Sequence, residues 1–237
     1  MSLQIGIVGL PNVGKSTLFN GMTRAQAAVA SYPFTTIEPN VGVAAVPDPR
    51  LERLAELVQP ERTTPATVEF VDIAGLVKGA SQGAGLGNQF LGHIRNVDAT
   101  AMVVRAFKNP DIPHVTAELD PLDDIETVEL ELILADLATV ERRVEKVRGK
   151  AKAQPKEYQA ELELLERLGR HLDAGRKARE MALSDKEREM LRPLNLLTAK
   201  PCLYVVNVGE DDLPDGGPLA AAVAERAAAE GSEAVVI

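Results

Sequence analysis

The sequence contains no tryptophan, and aromatic residues make up only 3% of it. A surface that stacks bases on aromatic faces needs more rings than this. Cys202 is the single cysteine, which excludes a disulfide framework and a thiolate metal site and points to a reducing compartment. No apolar run reaches the roughly 18 residues that cross a bilayer. The chain opens at Met1 directly into an alternating apolar stretch, without the basic segment and cleavage site of a secretory leader. A cytoplasmic protein with no membrane partner is the expectation. Positive charge is also in deficit: 26 Lys and Arg against 35 Asp and Glu leave a formal net charge of −9, unsuited to coating nucleic acid over the whole surface. What is present, 45% hydrophobic and 26% charged residues in a chain of 237, is the composition of a globular protein. Its length allows one large domain, or one domain carrying an insertion.

Branched apolar runs predict strands at Leu3 to Val8, Val41 to Val46, Thr67 to Val71, Ala101 to Phe107, Cys202 to Val206 and Ala234 to Ile237. Helical patterns at Lys15 to Ala25 and Pro49 to Val58 alternate with them. That alternation predicts an α/β fold with a mostly parallel sheet flanked by helices. A sheet of this kind ending at Ile237 lacks its last loop and helix, so the sequence reads as a fragment.

Between the fourth and fifth strands the pattern changes. Leu130, Ile133, Leu137, Val140, Val144 and Val147 alternate spacings of three and four, the seam of a coiled coil. Pro155 interrupts it, and Tyr158, Leu162, Leu165, Leu168 and Leu172 form a second stripe able to fold back antiparallel on the first. Ser184 and Glu187 are spaced as a capping box, so a third short helix starts there and stops before Pro193. The expected organisation is therefore a nucleotide-binding domain in two parts, residues 1–119 and 196–237, interrupted by a helical hairpin at 120–195.

The nucleotide reading rests on Gly9-Leu10-Pro11-Asn12-Val13-Gly14-Lys15-Ser16, a G-x-x-x-x-G-K-[ST] loop between a predicted strand and a predicted helix. Backbone N–H groups from Asn12, Val13, Gly14, Lys15, Ser16 and Thr17 can wrap a phosphate at a helix N-terminus. Lys15 would reach the β and γ oxygens, and the Ser16 hydroxyl would coordinate Mg²⁺. Asp72 and Gly75 form D-x-x-G after a strand, 57 residues beyond Lys15. Asp72 is the expected metal-side carboxylate, and the Gly75 N–H a γ-phosphate donor. Gly79, Gly83, Gly85 and Gly87 follow in a loop suited to ordering by that phosphate. Of Thr35 and Thr36, the second is the preferred closing ligand of Mg²⁺.

The base is expected to be read after the fifth strand, by Asn207, Val208 and Glu210. Guanine-specific relatives of this loop read N-K-x-D. Here Glu210 is one methylene longer than Asp, and Val208 supplies no lysine stem, so guanine selectivity should be weak and adenine becomes acceptable. Leu76 follows Asp72-x-x-Gly75, and an aliphatic chain there cannot orient an attacking water. Hydrolysis must then be slow or use another group, and His114 is the candidate, with weaker claims for His93 and His171. From Arg142 to Lys156, seven cations face one carboxylate, a net of +6 at the expected hairpin tip on an otherwise negative chain. Such a tip aims one end of the molecule at phosphates.

The segments GLPNVGKSTLFN, YPFTTIEPNVG, VDIAGLVKGA, GLGNQFL, NPDIPHV and NVGE together resemble the YchF, or Obg-like ATPase, family of translation-factor-related P-loop NTPases, over essentially the whole chain. The resemblance implies a nucleotide-binding domain with a coiled-coil insertion, followed by a C-terminal domain of the TGS type that lies outside this sequence. It further implies a preference for or acceptance of ATP over GTP, slow turnover with Mg²⁺, association with the ribosome (large subunit or 70S) and its rRNA, and a part in regulating translation or the stress response. Two other readings stay open: a conventional GTP-binding switch, and a nucleotide-gated binding module with negligible hydrolysis.

Overall fold

The computed structural model describes residues 2–23, 40–73, 86–114 and 119–237. The six expected strands form within a residue or two of their expected bounds: β1 Leu3–Val8, β2 Asn40–Ala45, β3 Thr67–Asp72, β4 Ala99–Arg105, β5 Cys202–Asn207 and β6 Glu233–Val236. They pair in the order β2-β3-β1-β4-β5-β6. Every pairing is parallel except β2 with β3. Ile7 stands opposite Asp72 on one side and Ala101 on the other, so the chain leaving β1 emerges beside the end of β3. Ile7, Val8, Phe19, Val103, Tyr204 and Val223 fill the core between the sheet and its helices.

Helix α1 (Lys15–Thr23) follows the glycine loop, and α2 (Pro49–Val58) begins on the Asp48 cap with proline at its first position. Helix α3 (Leu86–Arg95) precedes β4. Helix α7 (Gly217–Ala229), which the sequence pattern does not predict, packs Ala220, Val223 and Ala227 into the core. Its alanine-rich stretch gives little amplitude to a periodic pattern, which hides it from a reading of hydrophobic spacing.

The arm is an antiparallel pair, α4 (Pro121–Ala153) and α5 (Pro155–Asp173), joined through Gln154 alone. Asp120 caps α4 through the N–H groups of Leu122 and Asp123. Pro155 does not simply break a helix. It occupies the first position of α5, where its missing N–H costs nothing. Ile133, Val140, Val147, Leu164, Leu165, Leu168 and Leu172 form a second core between the two helices. One member of the expected seam is corrected: Leu130 is exposed, because at the root of α4 the buried stripe turns to Val128 and Leu132, which meet the sheet core instead. Helix α6 (Asp185–Leu191) carries the reciprocal Ser184–Glu187 capping box.

Two buried polar clusters seat the arm. Asp136 on α4 is fully buried and accepts from the Leu197 and Thr198 N–H groups and the Thr198 hydroxyl, each at 2.8 Å. Glu129 on α4 meets the Lys177 ammonium at 2.8 Å, the Tyr204 hydroxyl at 2.9 Å and Arg226 at 2.8 Å. Glu230 closes the same cluster from the end of α7, 2.7 Å from Lys177 and 2.8 Å from Tyr204. Buried charges are tolerated only with such full pairing. The root of α4 is therefore locked to β5 and α7 rather than lying loosely on the surface.

Candidate nucleotide site

At the C-terminal edge of a parallel sheet, the loops after successive strands converge, and ligands gather there. The loop after β1 turns at Gly9, whose φ of +144° and 2.4 Å approach of an added Cβ to the Val103 carbonyl leave room for no side chain. Asn12 and Gly14 also hold positive φ, 61° and 104°. A Cβ on Gly14 would fall 2.5 Å from the Asn207 amide, which donates to the Val13 carbonyl at 3.0 Å. The glycine loop and the loop after β5 are thus pinned together.

Lys15 lies in this loop with only 7% of its surface exposed, its ammonium donating to the Leu10 carbonyl at 2.7 Å. Burial pushes its pKa down to about 8, and the neighbouring Asp72 carboxylate opposes part of that fall. The Ser16 hydroxyl donates to Asp72 Oδ2 at 2.8 Å. Burial raises the Asp72 carboxyl, against the Ser16 hydrogen bond and the Lys15 charge. A cation, a hydroxyl and a carboxylate therefore meet at the start of α1, beside a helix N-terminus that favours anions.

Comparison with known sequences decides the family. The family described as 50S ribosome-binding GTPase matches residues 4–134, more than half of the chain. The chain belongs to that GTPase family. Over its full length it is 52% identical to the ribosome-binding ATPase YchF of Bacillus subtilis (strain 168) and 52% identical to that of Escherichia coli O157:H7, in each case spanning 65% of the relative. It is similar to the structure of the Schizosaccharomyces pombe YchF GTPase, with a TM-score of 0.81 and 37% identity over 100% of this chain and 65% of that one. The resemblance read from the motifs therefore holds. The chain spans just under two thirds of the length of these relatives.

Within this GTPase fold, Asn12, Val13, Gly14, Lys15, Ser16, Asp72 and Asn207 come together around one loop, and Thr17 is exposed on the first turn of α1. Thr35, Thr36, Gly75, Leu76, Gly79, Gly83 and Gly85 lie outside the described residues. Val208 takes a different place from the one expected: its side chain is buried in the sheet core and its N–H donates to the Ile237 carbonyl. Glu210 opens an exposed 3₁₀ turn, Glu210–Asp212.

His114 is held near the glycine loop, because Asn12 Nδ2 donates to the neighbouring Pro113 carbonyl at 3.1 Å. Its ring faces Asp124 on α4, Nε2 to Oδ1 at 3.3 Å. His93 lies in the last turn of α3. His171 is a structural residue, its Nε2 3.0 Å from the Lys177 carbonyl in the arm. Arg105, which no sequence motif singles out, clasps the loop after β4 through the carbonyls of Phe107, Asn109 and Ile112 at 3.0 to 3.1 Å. Its one signal is an arginine ending an otherwise apolar strand.

Proposed function

We propose that the chain binds a magnesium nucleoside triphosphate, accepts ATP as well as or better than GTP, and hydrolyses it slowly as the nucleotide-handling part of a cytoplasmic, ribosome-associated protein. The observation that carries this reading is the 2.8 Å pairing of Ser16 with Asp72 beside buried Lys15. Two oxygen donors at hydrogen-bond distance suit a hard octahedral cation, so Ser16 and Asp72 are the residues to hold Mg²⁺, with Thr36 as the closing ligand. When bound, the metal neutralises charge developing between the β and γ phosphates. The protein's own part is to present backbone N–H groups from Asn12 to Thr17, to bring the Lys15 charge to the phosphates, and to offer the Gly75 N–H to the γ oxygens. His114, one residue from the contact with Asn12, is the group proposed to orient the attacking water.

In this reading residues 120–195 are an inserted arm, and 1–119 with 196–237 are the two parts of the nucleotide domain. ATP and GTP dissociation constants, measured with and without Mg²⁺, test it together with turnover. Metal-dependent binding of both nucleotides with slow hydrolysis supports the proposal. Binding of GTP alone would support a conventional switch, and binding without turnover a gated module.

The base-reading role of Glu210 gives a sharper check. Asp at this position moves the carboxylate back by one methylene, to the place that pairs with guanine. Glu210→Asp is expected to shift the GTP-to-ATP affinity ratio toward GTP by about tenfold, the scale of one corrected polar pairing. Parallel titrations of the two nucleotides read the ratio, and an unchanged ratio would release Glu210 from base recognition.

A further inference from the structure

The contact between His114 and Asp124 is odd for a catalytic dyad. In a dyad that activates a histidine, the carboxylate takes a short, well-directed hydrogen bond from one ring nitrogen and leaves the other free for the reaction. Here the approach is 3.3 Å, and both ring nitrogens and both carboxylate oxygens are shut off from solvent. None of the four atoms has a well-aligned hydrogen-bond partner among the described residues. The ring is thus withdrawn into the protein, with neither nitrogen offered to a water at the phosphate site.

The two elements that meet here are each tied to a working part of the molecule. His114 follows Pro113, whose carbonyl is tied to Asn12 in the glycine loop, and the loop behind it is held by Arg105 through three carbonyls. Asp124 sits in the first turn of α4, the long helix of the arm. Its other charged neighbours are Asp120 and Asp123 on the same turn, and Arg105 at the end of β4. Burial keeps the Asp124 carboxyl above its ordinary range, opposed chiefly by His114. A long and poorly directed contact is easily opened by a small shift of either element.

We infer that Asp124 is a positioning residue that holds His114 in reserve, so that the imidazole reaches the phosphate site only when it leaves the root of the arm. This rests on the reading of His114 as the water-orienting group, and the test separates the two. If a fraction of molecules has His114 released, turnover is scaled by that fraction. Weakening the contact should therefore raise kcat without altering nucleotide binding.

The experiment uses the intact protein with Asp124→Asn, Asp124→Ala, His114→Ala and the His114→Ala/Asp124→Asn double variant. Two readouts are taken: steady-state ATP hydrolysis, and the rate at which diethyl pyrocarbonate modifies His114, followed by mass spectrometry. Asp124→Asn keeps the side-chain volume and remains informative if the alanine variant does not fold. Both Asp124 variants are expected to modify faster at His114 and to raise kcat by about fivefold with KM nearly unchanged. In the double variant kcat should equal that of His114→Ala, which a merely structural role of Asp124 would not produce. Unchanged or slower modification of His114 in Asp124→Asn overturns the inference whatever the turnover. A fall in kcat in Asp124→Asn while His114→Ala is slow also overturns it, since Asp124 would then be an activating partner. If His114→Ala hydrolyses ATP like the parent, the water-orienting reading fails, and faster modification in Asp124→Asn would still establish Asp124 as a restraint on the ring.

Discussion

Lys15→Met is expected to cost at least about 100-fold in affinity for ATP and GTP alike, while the nucleotide-free protein unfolds about 5 °C higher than the parent. The two effects have one cause. The ammonium is buried against the Leu10 carbonyl, and its pKa has dropped to about 8 from the 10.5 of a free lysine. A lysine whose folded pKa is depressed binds its proton less tightly when folded, so at neutral pH the charge destabilises the fold, and that penalty fades only as pH rises from about 8 through 10.5. At 1.36 kcal/mol per unit the penalty is roughly 3 kcal/mol. Removing the hydrogen bond to Leu10 offsets about 1 kcal/mol of any gain. Methionine fills a similar volume without the charge, so the ligand-free domain becomes more stable, and the same change removes the cation that reaches the phosphates. Thermal melts and nucleotide titrations of one pair of proteins measure both. A variant that binds ATP like the parent would remove Lys15 from the phosphate site, and a variant that melts lower would show that the ammonium is well solvated in place.

Much of the fold is legible in the sequence because its signals are local. A strand, a glycine loop and a helix are each written in adjacent residues, and the strand bounds follow directly from branched apolar runs such as Leu3–Val8. The loop at Gly9 to Ser16 declares itself through positions that only glycine fills easily. What stays hidden depends on pairings between distant residues. Nothing near Asn207 announces that its amide will pin the Val13 carbonyl 194 positions away. Nothing near Asp124 announces that α4 will bring it to His114. Val208 is expected in the base-reading loop because it follows the fifth strand, yet its side chain packs into the sheet core just beyond β5. Helix α7 is invisible for the opposite reason, since alanine serves a buried and an exposed face equally well.

The charge of the arm tip is the clearest case in which tertiary pairing changes the arithmetic. Residues 142–156 carry seven cations against one carboxylate, but α5 folds back and brings Glu157, Glu161, Glu163 and Glu166 alongside. Over residues 142–166 the balance is seven against five, a net of +2. Arg143 lies 2.5 Å from Glu161, and Arg148 lies 2.9 Å from Glu166. Arg142 is turned back to the Ala138 carbonyl at 3.0 Å, and Lys150 stands over the Tyr158 ring. Lys146, Lys152 and Lys156 have no ion pair among the described residues. The tip is therefore less positive than its own stretch of sequence, and Arg142, Lys146, Lys150, Lys152 and Lys156 are its cations without a carboxylate partner among the described residues.

Replacing Arg142, Arg143, Lys146, Arg148, Lys150 and Lys152 with glutamine is expected to weaken binding to ribosomes or structured RNA by about 100-fold at low salt, with nucleotide affinity unchanged. The separation follows from length. Helix α4 has 33 residues, which at 1.5 Å each extend about 50 Å, several times the Debye length of about 8 Å at physiological salt. Charge at the tip cannot tune Lys15, but it can meet phosphates far from the nucleotide. Removing each cation that meets a phosphate should flatten the salt dependence by a slope of about 0.7 to 0.9. The observed pairing adds a discriminating comparison. Changing only Lys146, Lys150 and Lys152, three of the six, removes cations without a carboxylate partner and should account for most of the weakening. Changing Arg143 and Arg148 removes cations already matched by Glu161 and Glu166, and should cost little beyond exposing those carboxylates. If the arginine pair proves as damaging as the lysine triple, the ion pairs open on binding and the arginines themselves meet phosphate. If the six-residue variant binds with the parent's affinity and salt slope, the tip is a solvated face and recognition lies elsewhere on the protein.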